Sequence, residues 1–189
     1  MPAVKESVPK IYPEWVFGYG SLMWNPGFTY LEKRSATLKG YQRRFCIYSH
    51  YYRGTTELPG LVLGLNPGGE CRGIAFRIST KASNEIISYL DKRELIGYAY
   101  KPKLLLISFD SGKSALAHTY ITDYSHPNFT GPISNKIATN LIASAKGVAG
   151  TNQDYVLKVI HQLEANCIID TYIQNILKRL QQAHQKTIF

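Results

Sequence analysis

Cysteine is scarce in this sequence: there are three, at positions 46, 71 and 167. They form neither a CxxC pair nor an even disulfide framework, and none sits beside a histidine at metal-ligand spacing, so buried free thiols are expected. Long apolar runs are missing too. No stretch approaches the roughly 18 to 20 apolar residues that cross a bilayer. Residues 1–14, which include Lys5, Glu6, Lys10 and Glu14, lack the apolar centre of a secretory signal. The expectation is a cytoplasmic protein with no membrane partner. Acidic residues are outnumbered, leaving a net charge of +9, yet the basic residues are scattered and Arg43-Arg44 is their densest cluster. That pattern favours a solvated basic surface with mild attraction for small anions over a nucleic-acid site. The five histidines, at 50, 118, 126, 161 and 184, form no i, i+4 pair, so no metal is expected.

A chain of 189 residues that is 44% apolar is long enough to bury a core. We expect an N-terminal extension over 1–14 and one domain over 15–189 that includes C-terminal helices. Strand patterns occupy 15–19, 41–49, 60–65, 71–78, 103–109 and 114–122, with turn signals at Asn66-Pro67-Gly68-Gly69 and Asp110-Ser111-Gly112. A helix is expected over 82–93, after the capping candidates Ser79 and Thr80, with Ile86, Ile87, Leu90 and Glu94 at helical spacing. Beyond Pro132 the pattern turns helical. Ile137, Leu141 and Ile142 share a face of a segment ended by Gly147, and Thr151 with Asp154 has capping-box spacing. The stretch 170–183 carries a stripe of Ile173, Ile176, Leu177 and Leu180. Strands first and helices afterwards indicate an α+β fold built on a curved sheet or small barrel.

Two stretches carry chemistry. In "VFGYGSLMWN", residues 16–25, glycines flank Tyr19 immediately after an apolar run. Gly18 and Gly20 can enter positive φ and turn successive N–H groups outward as an anion-binding nest. The stretch has no phosphate-loop lysine, and Met23 stands where a dinucleotide loop needs glycine. A tight bend and a ligand nest both remain open. In "YLDKRELIGYAY", residues 89–100, Glu94 sits at the negative end of a helix dipole among Leu95, Ile96, Tyr98 and Tyr100. If the segment turns inward, burial and the dipole raise the carboxyl pKa and suit it to shuttling protons. A solvated surface glutamate is the alternative.

The stretches "VFGYGSLMWNP", "YQRRFCIYS", "RGT", "PGLVLGL", "CRGIAFR", "REL" with "GY", and "GTN" with "YV" occur in this order between about Trp15 and Leu163. Together they resemble the ChaC-like γ-glutamylcyclotransferase family. The resemblance implies a small mixed β-barrel with flanking helices. It also implies cleavage of glutathione to 5-oxoproline and Cys-Gly without a metal or cofactor. It places the substrate loop on Val16, Phe17, Gly18, Tyr19, Gly20, Ser21 and Leu22, and the catalytic carboxylate on Glu94. Substrate-binding tyrosines fall on Tyr98 and Tyr155, and an accessory glutamate of some members falls on Glu85. Thr56 departs from the proline common at its position, and the stretch after Cys167 has no strong family motif and no part in the expected chemistry.

The residue types suit that chemistry. A γ-glutamyl group carries its own nucleophile, an α-amine that folds back on the γ-carbonyl, and good orientation of such an attack is worth roughly 7–11 kcal/mol. Glu94 would take a proton from the amine and return it to the leaving nitrogen. Ser21 lacks a nucleophile elbow and is expected to support the loop. Arg53 is open between a contact to the substrate's glycine carboxylate and a structural contact to a loop carbonyl. Cyclisation of other γ-glutamyl amino acids or amines, and a non-catalytic γ-glutamyl-binding module, are the alternative functions. The oligomeric state is not legible.

Overall fold

The computed structural model describes residues 13–95, 97 and 99–187, with the side chains of 184–187 excepted. The first strand, β1 (Trp15–Gly18), is followed by a short 3-10 turn over Ser21–Met23. Two long strands come next, β2 (Glu32–Ser49) and β3 (Gly60–Arg77), then helix α1 (Ser83–Glu94) and strands β4 (Tyr100–Phe109) and β5 (Ser114–Thr122). The remainder is α2 (Asn135–Ser144), the two-residue strands β6 (Lys146–Gly147) and β7 (Gly150–Thr151), α3 (Asn152–Ala165) and α4 (Thr171–Thr187). Strands β1-β3-β2-β4-β5 close into a barrel whose seam is the parallel pairing of β1 with β5, Trp15 opposite Ala117 and Val16 opposite His118. Closure leaves the barrel no free edge strand.

The barrel is dominated by the β2–β3 hairpin, in register from Glu32 opposite Arg77 to Ser49 opposite Gly60. Here the structure corrects the expectation of a turn at Asn66–Gly69. Pairing continues on both sides of that signal, Lys39 with Glu70 and Tyr41 with Pro67, so the glycines form an irregularity inside one strand. Gly40, Gly68 and Gly69 have φ of 83°, 100° and 63° there, the left-handed region in which glycine is the least strained residue. The strand's start at Glu32 was hidden because residues 32–40 mix charge with small side chains. The Asp110–Gly112 signal does make a turn, with Gly112 N–H donating to the Phe109 carbonyl at 2.9 Å.

Helix α1 begins without a side-chain cap. Ser79 and Thr80 instead offer backbone carbonyls to Ala82 and Ser83 in a preceding turn. Its Ile86 and Leu90 pack with Val16, Leu22, Ile78 and Tyr120, which fixes the helix against the barrel beside the glycine loop. In α2, Ile142 is buried but Ile137 is exposed, so the expected apolar face is narrower. The capping box of α3 is present, with Thr151 Oγ1 accepting from Asp154 N–H and Asp154 Oδ2 accepting from Thr151 N–H. Buried Asn152 pins this helix to β3 by accepting from Leu61 N–H at 2.6 Å and donating to the Leu61 carbonyl at 2.8 Å. Helix α4 buries Ile173, Ile176 and Leu180 against the main core. Among the described residues, no helix is long and apolar enough to cross a membrane.

Cys46 and Cys71 are buried free thiols, and burial pushes each up to about 11. Cys167 is exposed, contrary to expectation, because it occupies the bend before α4 with φ of 53°. Arg43 reverses the solvated-surface expectation for the basic cluster. It is 2% exposed, because the pleat directs it inward where carbonyls and a carboxylate receive its hydrogen bonds.

Candidate active site

Two adjoining cavities open between the glycine loop, the end of α1 and the start of α3. The larger is about 430 Å³ and the inner one about 30 Å³, and both are walled by Ser21, Glu94, Tyr100 and Tyr155. The larger falls within the roughly 300–1,000 Å³ range of small-molecule sites. Phe17, Tyr19, Gly20 and Leu22 line the inner cavity, together with Leu63 and Tyr120. Val16 does not line either. It is wholly buried in the core beneath α1, because alternation along β1 points it away from the Phe17 side.

The glycines act through space and not through positive φ, which corrects the nest geometry expected for them. Gly20 has φ of −133°, and neither it nor Gly18 is among the described glycines in the left-handed region. A Cβ on Gly18 would lie 2.8 Å from Leu22 Cβ, and one on Gly20 would lie 3.3 Å from the Tyr155 hydroxyl. The turn can therefore fold back on itself and still approach Tyr155. Its first hydrogen bond is from Met23 N–H to the Gly20 carbonyl at 2.9 Å. The N–H groups of Ser21 and Leu22 precede that bond and are not consumed by it, as at any helix start.

Glu94 is the last residue of α1, and its side chain is 14% exposed. Burial raises its pKa above the usual carboxylate range, and the adjacent Arg93 guanidinium partly opposes that rise. Arg93 Nε lies 3.1 Å from Glu94 Oε1. The same guanidinium donates from Nη2 to Ser21 Oγ at 3.0 Å and from Nη1 to the Asn25 carbonyl at 2.6 Å. One arginine thus ties the carboxylate to the loop it faces. Tyr19 donates its hydroxyl to the Tyr120 carbonyl at 2.9 Å, and burial first, then Glu94's charge, keeps that phenol neutral well above its ordinary pKa.

Tyr155 is held from three sides. Trp24 and Phe45 contact its ring at centroid distances of 5.9 Å and 6.1 Å, and the Arg53 guanidinium carbon lies 5.4 Å from the ring centroid. Arg53 makes the structural contact that was one of its two open readings: Nη1 donates to the Ala149 carbonyl at 2.6 Å and the Thr151 carbonyl at 3.2 Å. It also lines the larger cavity. Glu85 is exposed in the first turn of α1 and does not line either cavity. Tyr98 lies outside the described residues.

Several wall residues were not legible in the sequence. Arg93 has no local pattern that sets it apart from an ordinary basic residue in the last turn of a helix. Tyr100 and Tyr120 come from β4 and β5, where only strand pairing reveals that they face the loop. Most unexpected is Asp170, which lies in the stretch assigned no part in the chemistry. It accepts from Arg43 Nη1, while Arg43 Nε donates to the Tyr19 carbonyl at 2.6 Å and Nη2 to the Arg72 carbonyl at 2.6 Å. Asp170 Oδ1 also accepts from Ile173 N–H at the start of α4. The C-terminal helix therefore holds the glycine loop from behind through one buried cation.

A closed mixed barrel with flanking helices and a glycine loop set against a helix-end carboxylate is the γ-glutamylcyclotransferase-like fold. A yeast γ-glutamylcyclotransferase described as specific to glutathione superposes with a TM-score of 0.82, over 91% of this chain and 97% of the yeast chain, at 23% identity. The chain belongs to the ChaC-like protein family, whose model matches residues 14–183. It is 36% identical over 151 residues to the glutathione-specific γ-glutamylcyclotransferase of Escherichia coli strain K12, covering 80% of this chain and 65% of that relative. It therefore spans just under two thirds of that relative's length. Glutathione-specific γ-glutamylcyclotransferase 1 of Danio rerio is 33% identical over 158 residues, covering 81% of this chain and 80% of the relative.

Proposed function

We propose that this protein is a γ-glutamylcyclotransferase that converts glutathione to 5-oxoproline and Cys-Gly in the cytoplasm. The observation that carries the reading is the buried Glu94 carboxyl, of raised pKa, set in the wall shared by both cavities with Ser21 and Tyr155. The names of the bacterial and fish relatives supply the substrate.

In this reading the Ser21 and Leu22 N–H groups receive the substrate's α-carboxylate, which fixes the neighbouring α-amine. Ionised Glu94 removes a proton from the ammonium group. The freed nitrogen attacks the γ-carbonyl carbon, forming the ring C–N bond and a tetrahedral oxyanion. Tyr155 donates to that oxygen in this reading. As the carbonyl re-forms, the bond to the cysteine nitrogen breaks and Glu94 returns the proton to it. The second proton of the ring nitrogen then passes by the same carboxyl to the departing amine, leaving a neutral lactam and Cys-Gly as its ammonium form. No water is consumed and no protein nucleophile is needed. A raised pKa suits both halves, since one carboxyl must accept and then release a proton near neutrality. Measuring 5-oxoproline release from glutathione and from γ-Glu-Ala in parallel tests the reading. Release from glutathione supports it; no release from either by folded protein refutes it, and release from γ-Glu-Ala alone moves the substrate to other γ-glutamyl amino acids.

A further inference from the structure

The larger cavity extends beyond the inner one in a specific chemical direction. The walls it shares with the inner cavity are Ser21, Glu94, Tyr100 and Tyr155, whereas Tyr52, Arg53, Ala149 and Lys158 belong to it alone. Of the three cations in its outer part, Arg93 pairs with Glu94, which leaves Arg53 and Lys158. They converge because of how α3 is built. Lys158 is one turn beyond Tyr155 on the same helix face, and the Arg53 guanidinium lies over the Tyr155 ring. Asp154 lies close enough to both cations for each to favour its carboxylate form, after the larger effect of its own hydrogen bonds to Thr151. That carboxylate is committed to the capping box and exposed. Among the described residues, neither Arg53 nor Lys158 forms a salt bridge within 4.0 Å.

Arg53 is the more informative of the two. It is 9% exposed, and its hydrogen bonds to the Ala149 and Thr151 carbonyls fix the guanidinium without neutralising it. A buried cation held by two carbonyls and an aromatic face, with no carboxylate at ion-pair distance among the described residues, is best compensated by an anion arriving from the cavity. A γ-glutamyl tripeptide has such an anion. Two residues beyond its scissile bond span about 7 Å, which places a terminal carboxylate well away from the α-carboxylate at the loop.

We propose that Arg53 and Lys158 form a subsite for the terminal carboxylate of the departing dipeptide, and that this subsite sets the preference for glutathione over γ-glutamyl compounds with no carboxylate at that distance. The inference rests on the cyclotransferase reading for its orientation of the substrate. Lys158 is the residue to vary, since it is exposed and its removal does not disturb the loop that Arg53 holds.

The test is binding of glutathione and of its glycine-carboxamide analogue by calorimetry, in the full chain carrying Glu94→Gln to suppress turnover. Glutathione should bind roughly five- to tenfold more tightly than the amide, the scale of one partly exposed charge-assisted contact. Adding Lys158→Gln should reduce that preference to within about twofold, and Lys158→Arg should restore it. Raising salt should weaken it. Equal affinity for the two ligands, or an unchanged preference after Lys158→Gln, overturns the subsite. Unmodified protein that releases no 5-oxoproline, while the Glu94→Gln protein still prefers the carboxylate, removes the reaction and leaves the subsite standing.

Discussion

Two arginines are buried beside the site, Arg43 against the Tyr19 carbonyl of the glycine loop and Arg53 against the Tyr155 ring, and their surroundings differ in one respect. Arg43 has two carbonyls and the Asp170 carboxylate, whereas Arg53 has two carbonyls and an aromatic ring. The first charge is neutralised within the protein, and its consequence is mechanical: it fixes the Tyr19 carbonyl and thereby the glycine loop. The second is left facing a cavity, and so is Glu94, whose partner Arg93 offsets only part of the burial penalty. Charges closed on the protein should govern stability, and charges open to the cavity should govern ligand handling.

The sharpest test of the cavity side is Glu94→Gln. Loss of the proton shuttle should lower 5-oxoproline production on the order of 10²- to 10⁴-fold, with glutathione affinity changed only a few-fold. Stability should not fall with activity. Because the folded pKa of Glu94 is raised above its unfolded value, the carboxyl favours folding when protonated, and that contribution is lost as pH rises through the folded pKa. At neutral pH the Gln variant should therefore be at least as stable in urea as the parent. A stability loss accompanying the activity loss would break the distinction between the two sides.

Asp170→Asn tests the closed side, and the expected effect is the reverse. It leaves Arg43 buried without its counter-charge, a change expected to cost roughly 3 kcal/mol, at the low end for broken buried pairs because Asp170 is partly solvated. The urea midpoint reads this directly. Gly18→Ala should be destabilising by about 1–3 kcal/mol, since its Cβ would meet Leu22 Cβ at 2.8 Å within a packed turn. Gly20→Ala should be milder in stability but visible in kinetics. Its Cβ would stand 3.3 Å from the Tyr155 hydroxyl, and displacing that group by a few tenths of an ångström should raise KM about three- to tenfold. An unchanged KM would reduce the Gly20–Tyr155 approach to packing.

What the sequence disclosed and what it concealed divide along the same line. The Thr151–Asp154 cap was legible because its spacing is local, whereas at Glu94 the residues left a solvated surface open and the family resemblance singled the carboxylate out. The order of barrel strands was not legible, since pairings such as Gly18 with Ile74, Ala36 with Phe109 and Trp15 with Ala117 join distant parts of the chain and leave no local periodicity. Arg43 was misjudged for that reason: adjacent basic residues read as surface until the pleat sends one inward to partners at 19, 72 and 170. Gly18 and Gly20 were noticed correctly as unusual, but close packing and not backbone handedness explains them. Lys158 gave no signal, because an exposed helical lysine has the same local pattern whether or not a cavity opens beside it.

The smallest expected effect is also the most specific to the pairing of Glu94 with Arg93. In the proposed reaction Glu94 is ionised when it accepts the substrate's ammonium proton, so kcat/KM should rise with pH through the Glu94 pKa once the titration of free glutathione is corrected for. Burial places that rise above the ordinary carboxylate range, and Arg93 at 3.1 Å holds it lower than burial alone would. Arg93→Gln removes the cation, and the acidic limb should move to higher pH, with about two- to threefold less activity where the parent limb is at its midpoint. The substitution also loosens the loop, because Arg93 bonds Ser21 and the Asn25 carbonyl, but a looser loop lowers the whole profile without moving its limb. Arg93→Lys separates the two effects. It retains the charge while losing the forked geometry, so its limb should stay near the parent's even if its maximum falls. Identical limbs in the parent and in Arg93→Gln would mean that Arg93 serves the loop alone and that Glu94 is tuned by burial without it.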